Sequence, residues 1–124
     1  MGLNEIKLGL PVPYLSDLML RQIVGDRAAT EMVYRGEFVD PIEAGKIGLV
    51  DEVLSCDKVE SRALKKVTQM ASLPQNAFAA IKANRVEAIR LAYEKNCKAK
   101  NEIFLDCWFR PPTQELLTKA AEKF

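Results

Sequence analysis

One carboxylate stands out in the stretch GLNEIKLGL at residues 2–10. Glu5 is set among Leu3, Ile6 and Leu8 and is followed by the proline-marked turn PVPY. Apolar neighbours on both sides desolvate an acid, and a desolvated carboxylate is suited to moving protons. The same spacing also fits a solvated acid on an edge segment. The remaining residue types narrow the chemistry. With no histidine in the chain, Ser-His-Asp and Cys-His catalysis are excluded within it, as are most zinc sites. Proton transfer near neutral pH then falls to Glu, Asp, Lys, Tyr or Cys. Cys56, Cys97 and Cys107 are odd in number and none is spaced as a CxxC pair, so they read as reduced thiols and no metal site is expected.

Composition sets the class. The 124 residues are 48% apolar and 28% charged, with a net charge of +1, as in an ordinary soluble globular protein. The even charge balance, without a basic block, argues against nucleic acid as a partner. No apolar run reaches the ~18 residues of a membrane span. No basic segment followed by an apolar core marks a signal peptide, so a cytoplasmic location is expected.

The elements that must hold Glu5 follow from periodicity and punctuation. Leu3, Ile6 and Leu8 alternate loosely and predict a short extended segment. Pro11 and Pro13 break it. From Ser16 a helix carries Leu18, Met19 and Ile23 on one face and stops at Gly25. A second helix runs from Asp26 to Gly36, with Ala28, Ala29, Met32 and Val33 as its buried stripe. Phe38-Val39 reads as extended. Asp40-Pro41 is a strong helix start, with Asp as N-cap and Pro at N1, and Gly45 and Gly48 keep that helix brief. Residues 49–54, LVDEVL, read as extended.

The remainder is helical. From Asp57, the residues Val59, Ala63, Leu64, Val67, Met70 and Ala71 form a stripe that ends at Pro74. A short helix capped by Asn76 carries Phe78, Ala79 and Ile81. A long helix from about Arg85 to Trp108 bears Val86, Ile89, Ala92, Tyr93, Cys97, Phe104, Cys107 and Trp108 on one face. Its middle, KNCKAKNE, is polar nearly all round and is expected to face solvent or a partner. Pro111-Pro112 precedes a last amphipathic helix capped by Thr113. With at most two weak strands, the apolar helical faces call for a surface beyond those predicted here.

The order of motifs is specific. An acid before Leu8-Gly9, then Leu20-Arg21 to Gly25, Arg27-Ala28 to Met32, Gly36 to Ala44, and Gly48 to Val53 together resemble the crotonase superfamily of enoyl-CoA hydratases and isomerases. The ending ELLTKAAEKF is more loosely similar to that family's last helix. GLNE followed by LG and by Pro13-Tyr14 looks most like the Δ3,Δ2-enoyl-CoA isomerase branch.

The resemblance implies a mostly α chain, the C-terminal helical part of the α/β ClpP/crotonase spiral fold with a remnant of its last ββα turn. Residues 1–54 would be the core remnant with the base, and 55–124 a helical oligomerisation region. It implies that Glu5 is the catalytic base, that Leu10, Pro11, Pro13 and Tyr14 line the acyl pocket, and that Lys119, Lys123 and Phe124 approach the CoA nucleotide. Coenzyme A would enter as part of an acyl-CoA thioester of fatty-acid metabolism, with no separate cofactor and no metal. A trimer or hexamer is implied. The implied oxyanion-hole half is absent from residues 1–124, so this chain alone is expected to be inactive. The alternative is a non-catalytic helical module for oligomerisation or binding.

Overall fold

The computed structural model describes residues 1–122. Glu5–Leu8 form a 3-10 turn, followed by α1 (Tyr14–Arg35), α2 (Pro41–Lys46), α3 (Cys56–Ala71), α4 (Gln75–Trp108) and α5 (Pro111–Ala121). The described residues contain no strand. The chain is mostly α, as the sequence predicts.

Glycine and proline set the joints. α1 is two helical stretches meeting at Gly25, whose φ of 79° and ψ of 162° interrupt the helix. Gly36, at φ 58°, closes α1 by returning its N–H to the Met32 carbonyl at 3.0 Å. Asp40 caps α2, its Oδ1 accepting from the Glu43 N–H at 2.8 Å, with Pro41 in the first turn.

Several expectations are corrected. Residues 3–8 are not extended: Glu5–Leu8 coil into a 3-10 turn ended by Gly9 in the left-handed region. No neighbouring strand offers this segment a ladder, so its donors turn inward, Lys7 N–H to Asn4 O and Leu10 N–H to Glu5 O, both at 3.0 Å. Residues 49–54 also form no strand, because their inward bonds go to the end of α2, where Leu49 N–H meets Ala44 O at 2.8 Å. The extended reading of Phe38-Val39 survives only as a two-bond pairing of Val39 with Met1. The helix expected from Asn76 and the one from Arg85 are a single helix, since no Gly or Pro lies between 75 and 108. Thr113 does not cap α5. It lies inside the helix, buried, after a start at Pro111.

The core is small. Leu20, Ala29 and Met32 are buried together, with Leu3, Val24, Val33, Val39, Ile47 and Leu49 packed against them. α4 lies along α1 through most of the predicted stripe, with Ile89, Ala92, Tyr93, Cys97, Phe104 and Cys107 half-buried, whereas Val86 and Trp108 at its two ends are exposed. α3 buries nothing: Leu64 is 60% exposed and Val67 62%. A compact monomer of this mass exposes about 6,700 Å², whereas this chain of 13.9 kDa exposes 9,618 Å². The exposed apolar residues of α3 and α4, Val59, Leu64, Val67, Ile81 and Leu91 among them, contribute to that excess.

Candidate active site

Glu5 opens the 3-10 turn, and two contacts fix that turn. On one side, Gly36 at the end of α1 lies so close that a Cβ there would sit 2.5 Å from Ile6 Cγ2 and 3.4 Å from Asn4 Cα. On the other, Thr113 of α5, buried to 3% exposure, donates its hydroxyl to the Gly9 carbonyl at 3.4 Å. The turn is thus held between helices more than seventy residues apart in sequence. The Glu5 carbonyl is engaged by Leu10 N–H. Its side chain is not: Oε2 is buried and has no hydrogen-bond partner. A buried acceptor left unpaired costs free energy, and such atoms concentrate where function requires them. The flanking residues behave unequally, since Leu3 packs on the core while Ile6 is 51% exposed.

Beside the turn lies an open groove of about 520 Å³. Leu10, Pro11, Pro13 and Tyr14 all line it, so the structure brings the four predicted pocket residues together. Ile6, the residue after Glu5, lines it too; Glu5 itself does not. Across the groove stand Lys100, Asn101, Ile103 and Phe104 of α4. Lys100 and Asn101 belong to the polar stretch expected to face solvent or a partner. The signal that could have found Lys100 is its spacing, three residues after Cys97 and four before Phe104, on the stripe that meets α1.

Tyr14 is the best-fixed side chain of the groove. Its ring stacks on Tyr93 with centroids 6.3 Å apart and planes at 19°. Its hydroxyl accepts from Asn96 Nδ2 at 3.3 Å. Lys100 Nζ stands 5.7 Å from its ring centroid, within cation–π range. At the start of α1, Arg21 is paired with Asp17 at 2.7 Å, and both line the groove.

Other acids, Lys119 and the three thiols lie elsewhere. Glu31 pairs with Arg35 at 2.8 Å and Glu43 with Lys46 at 3.2 Å, both as exposed helix pairs. Lys119 is exposed in the last turn of α5, away from the groove lining. Lys123 and Phe124 lie outside the described residues. The three cysteines are free thiols. A second ion-paired cluster ties α3 to the preceding segment. Arg62 grips Glu52 with two bonds of 2.7 and 2.8 Å, and Lys66 meets Asp51 at 3.2 Å. The Arg62 hydrogen bond holds the Glu52 carboxyl below the usual carboxylate range.

Comparison with known proteins finds relatives of the chain. The family model described as enoyl-CoA hydratase/isomerase matches residues 1–123. The human protein named enoyl-CoA delta isomerase 1, mitochondrial, is 32% identical over 102 residues, which is 81% of this chain and 34% of that protein. The crystal structure of human mitochondrial delta3-delta2-enoyl-CoA isomerase superimposes with a TM-score of 0.92 at 28% identity, over 99% of this chain and 48% of that one. An enoyl-CoA hydratase/isomerase from Pseudoalteromonas atlantica gives 0.83 at 26% identity, over 95% and 48%. The chain therefore spans about a third of the human relative's length and about half of the solved structures it matches.

Proposed function

The chain belongs to the enoyl-CoA hydratase/isomerase family, and from that premise we propose that it is the base-bearing part of an enoyl-CoA isomerase. The Glu5 carboxylate removes a proton from C2 of a 3-enoyl-CoA. The C2–H electron pair forms the C1–C2 double bond of a dienolate, with the negative charge on the thioester oxygen, and this pair becomes the C2–C3 double bond when the carbonyl re-forms. The charge collapses back, the C3–C4 pair takes the proton at C4, and the 2-enoyl product results. One carboxylate serves both transfers, so its lone pairs must be uncommitted while its backbone is fixed. The observation that carries the reading is the pairing of a locked Glu5 carbonyl with a buried, unpartnered Oε2. Leu10, Pro11, Pro13 and Tyr14 then form the acyl-chain wall.

The enolate needs two N–H donors, each worth about 2.7–4 kcal/mol. The six glycines of residues 1–124 are scattered and form no loop to supply them. The donors come from the half of the relatives' fold that residues 1–124 do not span, so this chain alone turns over negligibly. Lys119 approaches the CoA nucleotide, and the assembled enzyme is a trimer or hexamer. Free thiols fit a reducing compartment, cytoplasmic or, like the human relative by its name, mitochondrial.

The test is a fusion of residues 1–124 to the N-terminal half of the human isomerase, assayed for conversion of 3-hexenoyl-CoA to 2-hexenoyl-CoA. Glu5→Gln lowers kcat at least about 100-fold, as loss of a general base does. An unchanged kcat refutes the role. Turnover near ~10 s⁻¹ by the unfused chain, abolished by Glu5→Gln, refutes the need for a second half. The large exposed area favours a second reading, a non-catalytic helical oligomerisation module. That reading requires the fusion to stay inactive while the chain still self-associates.

A further inference from the structure

The groove is mostly apolar, yet its α4 wall places two polar side chains, Lys100 and Asn101, opposite Leu10 and Pro13. Apolar tails do not call for a cation there. Among the described residues Lys100 makes no ion pair; its ammonium leans over the Tyr14 ring. The other cation of the groove, Arg21, is satisfied by Asp17 at 2.7 Å. The lining therefore carries one net positive charge, Lys100's. Ammonium has three donors, and the aromatic face meets only one side of it. Tyr14, in turn, is pinned by Tyr93 and Asn96, so the cation sits over a fixed platform.

We propose that Lys100 is a specificity-determining residue, selecting acyl chains whose far end carries a carboxylate. The inference rests on the acyl-CoA reading above and goes beyond it by naming the substrate class. A chain whose thioester end lies by Glu5 passes Ile6 and Leu10, runs along Pro11 to Tyr14, and brings its terminal carboxylate to Lys100 Nζ, with the Asn101 amide in the same wall. Because Lys100 is solvent-accessible, the carboxylate keeps part of its hydration, and the gain is that of a partly exposed ion pair.

The test measures binding of three CoA thioesters to the full chain by calorimetry at low salt: dodecanoyl, its ω-carboxyl analogue, and the matching ω-carboxamide. The carboxamide has the carboxylate's shape without its charge. The ω-carboxyl thioester is expected to bind about fivefold more tightly than the carboxamide, the upper range for an exposed pair. Raised salt erodes the preference, Lys100→Gln abolishes it, and Lys100→Glu inverts it. Circular dichroism verifies that both variants remain folded. Equal affinities, or a preference that survives Lys100→Gln, overturn the inference while dodecanoyl binding leaves the acyl-chain wall standing. If none of the three binds at millimolar concentration, the acyl-wall reading itself fails, and this inference with it.

Discussion

Replacing Gly36 by alanine tests how Glu5 is held. Gly36 has φ 58°, where an L-residue costs about 1–2 kcal/mol. A second cost comes from contact, because the new Cβ would stand 2.5 Å from Ile6 Cγ2 and 3.4 Å from Asn4 Cα. Ile6 is β-branched, so its Cγ2 yields only through χ1 rotation or a shift of the backbone. Overpacking of that kind costs about 1–3 kcal/mol, giving about 2–5 kcal/mol in all. Gly48→Ala is the matched control. Gly48 has φ 74° and nothing within 4 Å of where a Cβ would lie, so it carries the backbone cost alone. Urea unfolding followed by helical circular dichroism should rank Gly36→Ala less stable than Gly48→Ala by at least about 1 kcal/mol. In the fused enzyme, Gly36→Ala should also lower kcat further, since the displaced Ile6 adjoins Glu5. Equal destabilisation by the two alanines would show that the end of α1 does not brace the turn.

Thr113→Val keeps the shape of the buried side chain and removes its hydrogen bond to the Gly9 carbonyl. A loss of about 1 kcal/mol in the same unfolding experiment is expected, and no loss would refute the α5 brace. Glu52 titrates below the usual carboxylate range because Arg62 bonds it. A depressed folded pKa contributes stability above the unfolded value of 4.5 and loses it as pH falls through the folded value. An acid titration of helicity from neutrality should therefore show less destabilisation below that value in Glu52→Gln than in the parent. Identical titrations would refute the clasp. Sedimentation of the parent chain should give a species larger than 13.9 kDa, and Leu64→Glu with Val67→Glu should return it toward that mass. A monomeric parent would refute association through α3.

Local chemistry made part of the fold legible. The break at Gly25, the stop at Gly36 and the Asp40 cap are each dictated by one residue's conformational preference or side chain, and all three are found as read. The α4 stripe was legible because tertiary packing along α1 follows helical periodicity. The 3-10 turn was not, because alternation in Leu3, Ile6 and Leu8 predicts a strand only where a ladder partner exists, and the partners here are Gly36 and Thr113, distant in sequence. The four pocket residues were placed by the family resemblance, and the turn that carries them follows from Pro11 and Pro13. Lys100 and Asn101 were missed because a polar residue on an apolar stripe reads as solvated until the opposite wall is known. The unpaired Oε2 of Glu5 is a property of three-dimensional surroundings alone.

α4 has 34 residues and so spans about 51 Å at 1.5 Å per residue. Its contacts with α1 reach back to Arg85, whose carbonyl accepts from Gln22 Nε2 at 2.6 Å, which leaves the ten residues from Gln75 to Asn84 as an overhang of about 15 Å, with α3 joined to its far end. Mechanically this is a cantilever. A tilt of roughly 10° at the seated part carries the tip by about 3 Å over that length, while the lysine and aromatic residues of the groove wall move far less. Load applied by anything that grips the far end is thereby geared down before it reaches the groove, and a small change in the groove is geared up at the tip.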